Sequence, residues 1–229
     1  MKRVTYLFLL LGVVAFQACK IETAEPVFRN FYFFDIDVDM TNVKKEYNVN
    51  DIVWLEISIP NKFIKDESTG DDIFVGNARF PISLQAQEIT NNPIDSNQVE
   101  IILQNGELTK DSIFNRNGIA SFHFGCPEST YLYKVGVQFK KTGAYILRLN
   151  PEQTVKTIVF NEFTDCSIFE NTNVLPTGTD VGSVSYLFGA ADLNLDVFSD
   201  FTQNNTLNTS VNAVPGQINE KQAFFVKVI

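Results

Sequence analysis

The sequence predicts an all-β protein, an antiparallel β-sandwich with a loop-rich C-terminal extension. Between Phe28 and Phe160, aromatic and β-branched residues dominate short runs that are punctuated by turn residues. At least seven such runs follow one another, which is the spacing typical of a sandwich. No sustained helical period appears before residue 185.

Each run predicts one strand, and the polar tip 66–72 predicts a hairpin between its flanking strands. The run Tyr131–Phe139 and the run Tyr145–Leu149 are predicted to pair as a second hairpin, because the loop 140–143 has a common hairpin length. In chain order the expected strands are 28–38, 48–59, 63–64, 73–75, 78–89, 99–104, 118–125, 131–139, 145–149 and 157–160.

The C-terminal stretch has a different composition. Residues 170–182 and 202–212 are rich in Asn, Thr, Ser and Gly and predict long loops. Between them, apolar residues recur every four positions and predict one short helix at 190–201, with a strand as the alternative. The apolar run 223–229 predicts a terminal strand that packs on the sandwich.

The N-terminus has the layout of a secretory signal, with Lys2 and Arg3 before an apolar run at 4–16. The run is shorter than the about 20 residues that span a bilayer. Residues 16–19, Phe-Gln-Ala-Cys, resemble the lipobox of bacterial lipoproteins. The resemblance implies cleavage directly before Cys19 and acylation of that cysteine.

Lys20, not an acidic residue, follows the cysteine, as in lipoproteins sorted to the outer membrane. Either face of the outer membrane is compatible with this sequence. The alternative to a lipoprotein is an ordinary secreted protein. The expected organisation is a lipoprotein signal peptide at 1–18, a tether at 19–27, a β-sandwich domain at 28–165 and a loop-rich segment at 166–229.

A second resemblance concerns the sandwich itself. The segment Tyr47–Asp51, which leads into a strand with Trp54, is similar to the second strand of immunoglobulin-like bacterial modules. Val135–Phe139 followed by Gly143–Tyr145 is similar to their last hairpin. The resemblance implies an immunoglobulin-like sandwich and assigns no functional residue.

Two cysteines remain once Cys19 is acylated. Beyond the inner membrane, Cys126 and Cys166 are most simply a structural disulfide. A zinc site would need about four ligands, and His123 is the chain's only histidine. We interpret His123 as a strand residue beside the bridge rather than as a metal ligand or a catalytic base.

Two groups of acidic residues are candidates for calcium binding. Asp35, Asp37, Asp39 and Glu46 have the spacing of a calcium loop, but the sharp turn lacks its glycine and the flanks are strand-like. We therefore expect the three aspartates to share a solvated strand face. The acidic tip 66–72 is expected to be a soluble loop, with weak calcium binding left open.

Aromatic residues raise the possibility of a binding platform, because 21 Phe and 7 Tyr exceed the needs of one small core. Residues 31–34, Phe-Tyr-Phe-Phe, point to both faces of one strand. We expect that strand to be covered on both sides, by the second sheet and the C-terminal segment. The alternative is a platform for glycans or peptides.

The chain offers no signature of a catalyst. It has no Gly-x-Ser-x-Gly elbow and no phosphate-binding glycine loop, although 27 acidic residues leave a carboxylate pair for sugar hydrolysis open. Removing the signal takes two positive charges from a net charge of −9 and leaves −11, which disfavours nucleic acid. We predict no enzyme activity, no catalytic residue, no cofactor and no metal.

The expected function is that of a lipid-anchored outer-membrane protein that binds another envelope protein as a non-catalytic accessory. The different-class alternative is a surface lipoprotein that binds glycans or, less expected, degrades them. Exposed coplanar aromatic rings would favour glycan binding, and a buried Trp54 without a cleft would favour the accessory role.

The anchor is tested by Cys19→Ser, which removes the acylated thiol. We expect the variant to move from the membrane to the soluble fraction, because no acyl chain would hold it to the bilayer. Fractionation and immunoblotting measure this, with Cys126→Ser as the control that stays with the membrane. A variant that still sediments with membranes would contradict the anchor.

The disulfide is tested by peptide mapping without reduction. We expect one peptide pair that joins Cys126 to Cys166. By closing a loop of about forty residues, the bridge stabilises the fold by roughly 3–4 kcal/mol on the chain-entropy model. Reduction should therefore lower the melting temperature, and free alkylated thiols at both positions in the native protein would refute the bridge.

Overall fold

The computed structural model describes residues 30–76, 78, 80–89, 98–105, 107–108, 119–123, 129–149, 157–160, 180–204 and 214–229. The strands of this part are β1 (Phe31–Thr41), β2 (Ile52–Ile59), β3 (Phe63–Lys65), β4 (Asp72–Phe74), β5 (Pro81–Glu88), β6 (Val99–Asn105), β7 (Glu107–Leu108), β8 (Ile119–His123), β9 (Tyr131–Phe139), β10 (Gly143–Leu149), β11 (Thr157–Phe160), β12 (Asp180–Phe188) and β13 (Ala223–Val228). The helices are α1 (Leu195–Asn204) and α2 (Val214–Asn219), with 3-10 turns at Pro60–Lys62 and Ala191–Asn194.

These strands form two large sheets, which confirms the predicted all-β sandwich. The six-stranded sheet has the order β11-β12-β1-β2-β9-β6, and the five-stranded sheet has the order β13-β10-β5-β8-β7. A separate two-stranded unit pairs β3 with β4. Pairing is antiparallel within the described sheets except between β1 and β12, which run parallel.

The core lies between the two sheets and is filled from alternate positions of each strand. In β1, for example, Phe34, Ile36 and Val38 are buried. Aromatic rings meet across the core: Phe139 of β9 lies 5.0 Å from Tyr145 of β10, measured between ring centroids. Such contacts fix the distance between the sheets and their relative orientation.

A helical layer covers the outer face of the five-stranded sheet. Ala144 and Ile146 of β10 and Phe225 of β13 point away from the main core and are buried against the C-terminal helices. Phe198 of α1 meets Phe225 edge to face, with 5.2 Å between the ring centroids. Strands buried on both faces have continuous apolar runs rather than alternation, as β10 and β13 do.

The predicted hairpin between the runs 131–139 and 145–149 is wrong. β9 pairs with β2 and β6, whereas β10 pairs with β5 and β13 in the other sheet. The short connection therefore crosses the sandwich. The physical reason is that β10 carries apolar residues on both faces, so it belongs in the sheet that has a cover on both sides.

β12 and the two-residue β7 are described strands that sequence patterns missed; in the case of β12, 170–182 was predicted as a loop and 183–188 was left unassigned. Gly182, Ser183 and Ser185 weaken its strand signal. The buried residues Val184 and Tyr186 nevertheless alternate in the period of a strand. The parallel partner β1 lies about 150 residues earlier in the chain, so local patterns gave no hint of the pairing.

The helix and the terminal strand predicted for the C-terminal segment are both present. The helix expected at 190–201 is present as the turn at 191–194 followed by α1, although α1 extends to Asn204 into the expected loop. The terminal strand is present as β13 and pairs with β10 from Arg148↔Ala223 to Gly143↔Val228. The short helix α2 was not predicted. In the described part of the chain, no helix has the length and hydrophobicity needed to cross a membrane.

Gly136 of β9 provides a sharp test of the packing on the six-stranded sheet. A Cβ at this position would lie 2.9 Å from Ile52 Cγ2 and 3.0 Å from Trp54 Cζ3. We expect Gly136→Ala to destabilise the protein by about 1–3 kcal/mol, because the Ile52 side chain and the Trp54 ring would have to shift to admit the new Cβ. Thermal and urea unfolding measure the effect.

Gly216 of α2 supplies the matched control for that substitution. Nothing lies within 4 Å of a Cβ built there. Because alanine favours a helix over glycine by up to about 1 kcal/mol, Gly216→Ala should be neutral or stabilising. Equal destabilisation by both substitutions would show that the close packing around Gly136 has no energetic weight.

Candidate interaction surface

The three cysteines of the sequence analysis lie outside the described residues. Lipid attachment at Cys19 and the bridge between Cys126 and Cys166 therefore remain predictions. His123 is the last residue of β8, and its backbone pairs with Pro81 and with Glu107.

The outward face of β1 carries two exposed phenylalanines and three aspartates. Phe31 is 56% exposed and Phe33 is 50% exposed. Asp35, Asp37 and Asp39 follow on the same face and are exposed as well, as expected for a solvated strand face. We call these five residues the β1 face. The expectation that this strand is covered on both sides is wrong, because the helical layer covers the other sheet.

The three aspartates of the β1 face have no ion-pair partner among the described residues. Their neighbours on the same sheet differ in this respect. Glu56 of β2 pairs with Lys134 of β9 at 2.7 Å. The β1 face is consequently a strip of uncompensated negative charge that ends in two exposed rings.

The hairpin of β3 and β4 adds a second pair of exposed rings. Phe63 is 48% exposed and Phe74 is 42% exposed, and the two are cross-strand partners with ring centroids 5.3 Å apart. The rings are tilted by 53°. Phe31 and Phe33 also stand at a steep angle, with 5.1 Å between centroids and 68° between planes. Neither pair forms a coplanar platform.

Asp66 fastens this hairpin to β1. Its Oδ1 accepts the backbone N–H of Phe33 at 2.8 Å, and its Oδ2 accepts the hydroxyl of Ser68 at 2.5 Å and the hydroxyl of Thr69 at 2.9 Å. The backbone N–H of Glu67 donates to Phe33 O at 2.8 Å. The bonds to the carboxyl oxygens, the one from the Phe33 N–H first, lower the pKa of the fully buried Asp66 carboxyl to about 2.

The hydrogen bonds of Asp66 also limit how the tip 66–72 could bind calcium. Both oxygens of Asp66 are occupied by donors of the protein itself, which leaves Glu67, Asp71 and Asp72 as the exposed acids of the tip. In the other candidate set, Glu46 forms an ion pair with Lys227 instead of facing the aspartates of β1. Within the described residues, no three potential metal ligands cluster.

Trp54 lies on the outer face of β2 and is half-buried. Its ring covers Gly136 of β9, which is why that position has no room for a side chain. The indole is therefore a packing element of the sheet surface more than an exposed stacking platform.

A cleft of about 670 Å³ lies between α1, the end of β13 and the segment before β2. Two ion pairs line it, Lys45 with Asp196 and Lys227 with Glu46, and Asp200 is a further acidic residue of its wall. The hydrogen bond from Lys45 lowers the pKa of the Asp196 carboxyl. A glycosidase needs one carboxylic acid whose pKa is raised, so Asp196, whose pKa is lowered, does not fit the role of the proton donor.

Comparisons with known proteins give only distant likenesses. No family model matches the sequence, and no curated protein matches it. A chain of a type II cohesin–X-dockerin complex from Acetivibrio cellulolyticus is 14% identical with a TM-score of 0.29, covering 68% of this chain and 96% of that chain.

Two further solved structures are similar at the same level. A type II cohesin domain from Acetivibrio cellulolyticus is 12% identical with a TM-score of 0.24, covering 65% of this chain and 95% of its own. The type II cohesin A11 from Bacteroides cellulosolvens is 13% identical with a TM-score of 0.25, covering 65% and 99%. At these TM-scores the superposition is partial, and the fold described above rests on the chain's own strand pairing.

The anchoring role of Asp66 is tested by Asp66→Asn, whose amide replaces one acceptor by a donor. The wild-type carboxylate contributes stability above its ordinary pKa of 3.8, and that stability is lost as the pH falls from about 4 to about 2. We expect the variant to melt several degrees lower at neutral pH and to lack this part of the acid-induced loss.

Melting curves between pH 2 and pH 7 measure both effects, and Asp71→Asn is the matched control. The Asp71 side chain is exposed at the same tip. Wild-type-like melting of Asp66→Asn over the whole range would show that the carboxylate does not hold the hairpin.

Proposed function

We propose that this protein is a lipid-anchored accessory protein of the outer membrane, which binds an envelope protein through the β1 face and the adjoining hairpin of β3 and β4. The observation that carries the binding role is the exposure of Phe31 and Phe33 beside three aspartates that have no ion-pair partner among the described residues. Aromatic residues are enriched at the centres of protein contact sites, and a polar rim surrounds them.

The charge of the surface defines the partner. Asp35, Asp37 and Asp39 repeat along one strand face, with side chains at every second residue. A partner segment with lysine or arginine at a matching spacing, beside apolar side chains for the phenylalanines, complements this strip. Charge complementarity of this kind sets partner choice and the rate of association.

The proposed anchor places the surface close to the membrane. Eleven residues separate Cys19 from Phe31 in the sequence. Fully extended, such a tether spans at most about 40 Å. The exposed phenylalanines stand at the tethered end of β1, so a membrane-embedded partner lies within reach. Confinement near the membrane raises the effective concentration of the two proteins.

Glycan binding is the competing function. Sugars stack on flat, accessible rings, whereas both exposed phenylalanine pairs stand at steep angles and Trp54 is half-buried. The geometry therefore favours a protein partner whose side chains insert beside the rings.

The test is affinity capture from solubilised envelopes with wild-type protein and with the double variant Phe31→Ser/Phe33→Ser. We expect the wild type to recover one outer-membrane protein in stoichiometric amount. The double variant should weaken the complex at least about tenfold, because exposed aromatic anchors carry much of the binding free energy. A second variant, Asp35→Asn/Asp37→Asn, should slow association and reduce its salt dependence.

Leu132→Ser is the matched control, because Leu132 is 40% exposed on β9 of the same sheet, away from the β1 face. It should bind like the wild type. Equal recovery of the partner with the Phe31→Ser/Phe33→Ser variant would reject the β1 face as the binding surface. Binding to a glycan array without any recovered protein would reject the protein-partner function itself.

A further inference from the structure

Arg148 holds an unusual position on the outer face of the five-stranded sheet. It lies near the end of β10, between Ala223 of β13 and Gln85 of β5 in the strand register. The side chain is half-buried, at the border where the cover of the helices ends. A cation removed from water in this way ordinarily has a carboxylate partner.

Among the described residues, the guanidinium of Arg148 meets only neutral acceptors. Its Nε donates to Gln217 Oε1 at 2.7 Å, and its Nη1 donates to Gln87 Oε1 at 2.7 Å and to Gln85 Oε1 at 3.5 Å. No carboxylate among the described residues forms an ion pair with it. Burial lowers the pKa of Arg148, and no neighbouring acid offsets that effect.

The three glutamines give the cation hydrogen bonds but no negative charge. Each turns its carbonyl oxygen to the guanidinium, so each amide nitrogen points elsewhere. Across the described residues, Nη2 of Arg148 and these amide nitrogens make no hydrogen bond. A site that offers donors and one positive charge accepts a ligand that has only acceptors and carries negative charge.

We propose that Arg148, with Gln85, Gln87 and Gln217, forms a binding site for a small carboxylate. Nη2 is the guanidinium nitrogen left to donate to a carboxylate oxygen, since Nε and Nη1 already bond the glutamines, and the single negative charge of a carboxylate balances the single cation. A phosphate dianion would leave one negative charge uncompensated in a chain whose net charge is already −9. The bound carboxylate would be the counter-ion that the described residues do not provide.

The site is independent of the β1 face. β1 belongs to the six-stranded sheet, whereas Arg148 lies on the outer face of the five-stranded sheet. Loss of carboxylate binding would leave the proposed partner function untouched, and loss of partner binding would leave this site untouched.

The test titrates the full mature chain with sodium acetate, sodium glucuronate and N-acetylglycine, each against sodium chloride at equal ionic strength. The readouts are the melting temperature and the Nε–H signal of Arg148 in a nitrogen-15 spectrum. At about 100 mM carboxylate we expect the melting temperature to rise by a few degrees over chloride, since ligands that bind the folded state stabilise it. The Nε–H signal should shift with saturation.

Arg148→Gln should lose the carboxylate-specific rise, whereas Lys140→Gln, which removes a charge from the connection between β9 and β10, should keep it. Gln217→Ala provides a second variant that retains the cation and should weaken binding. Preference for glucuronate or for N-acetylglycine over acetate would tell a sugar acid from a peptide terminus. An unmoved Nε–H signal, or equal stabilisation of Arg148→Gln, would overturn the proposal.

Discussion

The need to cover both faces of the five-stranded sheet organises the rest of the molecule. β10 and β13 are apolar on both sides, so one face must meet the other sheet and the other must meet a third layer. The C-terminal segment supplies that layer through residues such as Phe198 and Ile218. It also supplies β13 itself, and the chain end therefore completes the fold.

This constraint decides which surface is left for contact. The only helical layer in the described part of the chain lies on the five-stranded sheet, so the outward face of the six-stranded sheet stays open to solvent. Phe31 and Phe33 are exposed there for that reason, and Asp66 sets the second aromatic pair beside them. At the border of the helical layer, the side chain of Arg148 is half-buried, and the proposed carboxylate site rests on that position.

Local pattern was a sound guide to the strands but not to their neighbours. The alternation in residues 131–139 identifies a strand correctly, yet the short loop after it suggested a hairpin and the chain crosses the sandwich instead. β12 was not predicted because Gly182, Ser183 and Ser185 weaken its strand signal. Its pairing with β1 joins segments far apart in sequence.

The sequence by itself determined the all-β class, most strand positions and the alternation that sends Asp35 and Asp37 to solvent. These follow from the two-residue period of a strand, which is a local property of the backbone. Only the tertiary structure decided which sheet each strand joins, which face is covered and which neighbours Arg148 has. Those depend on contacts between distant segments, and the free energy of burying apolar faces selects them.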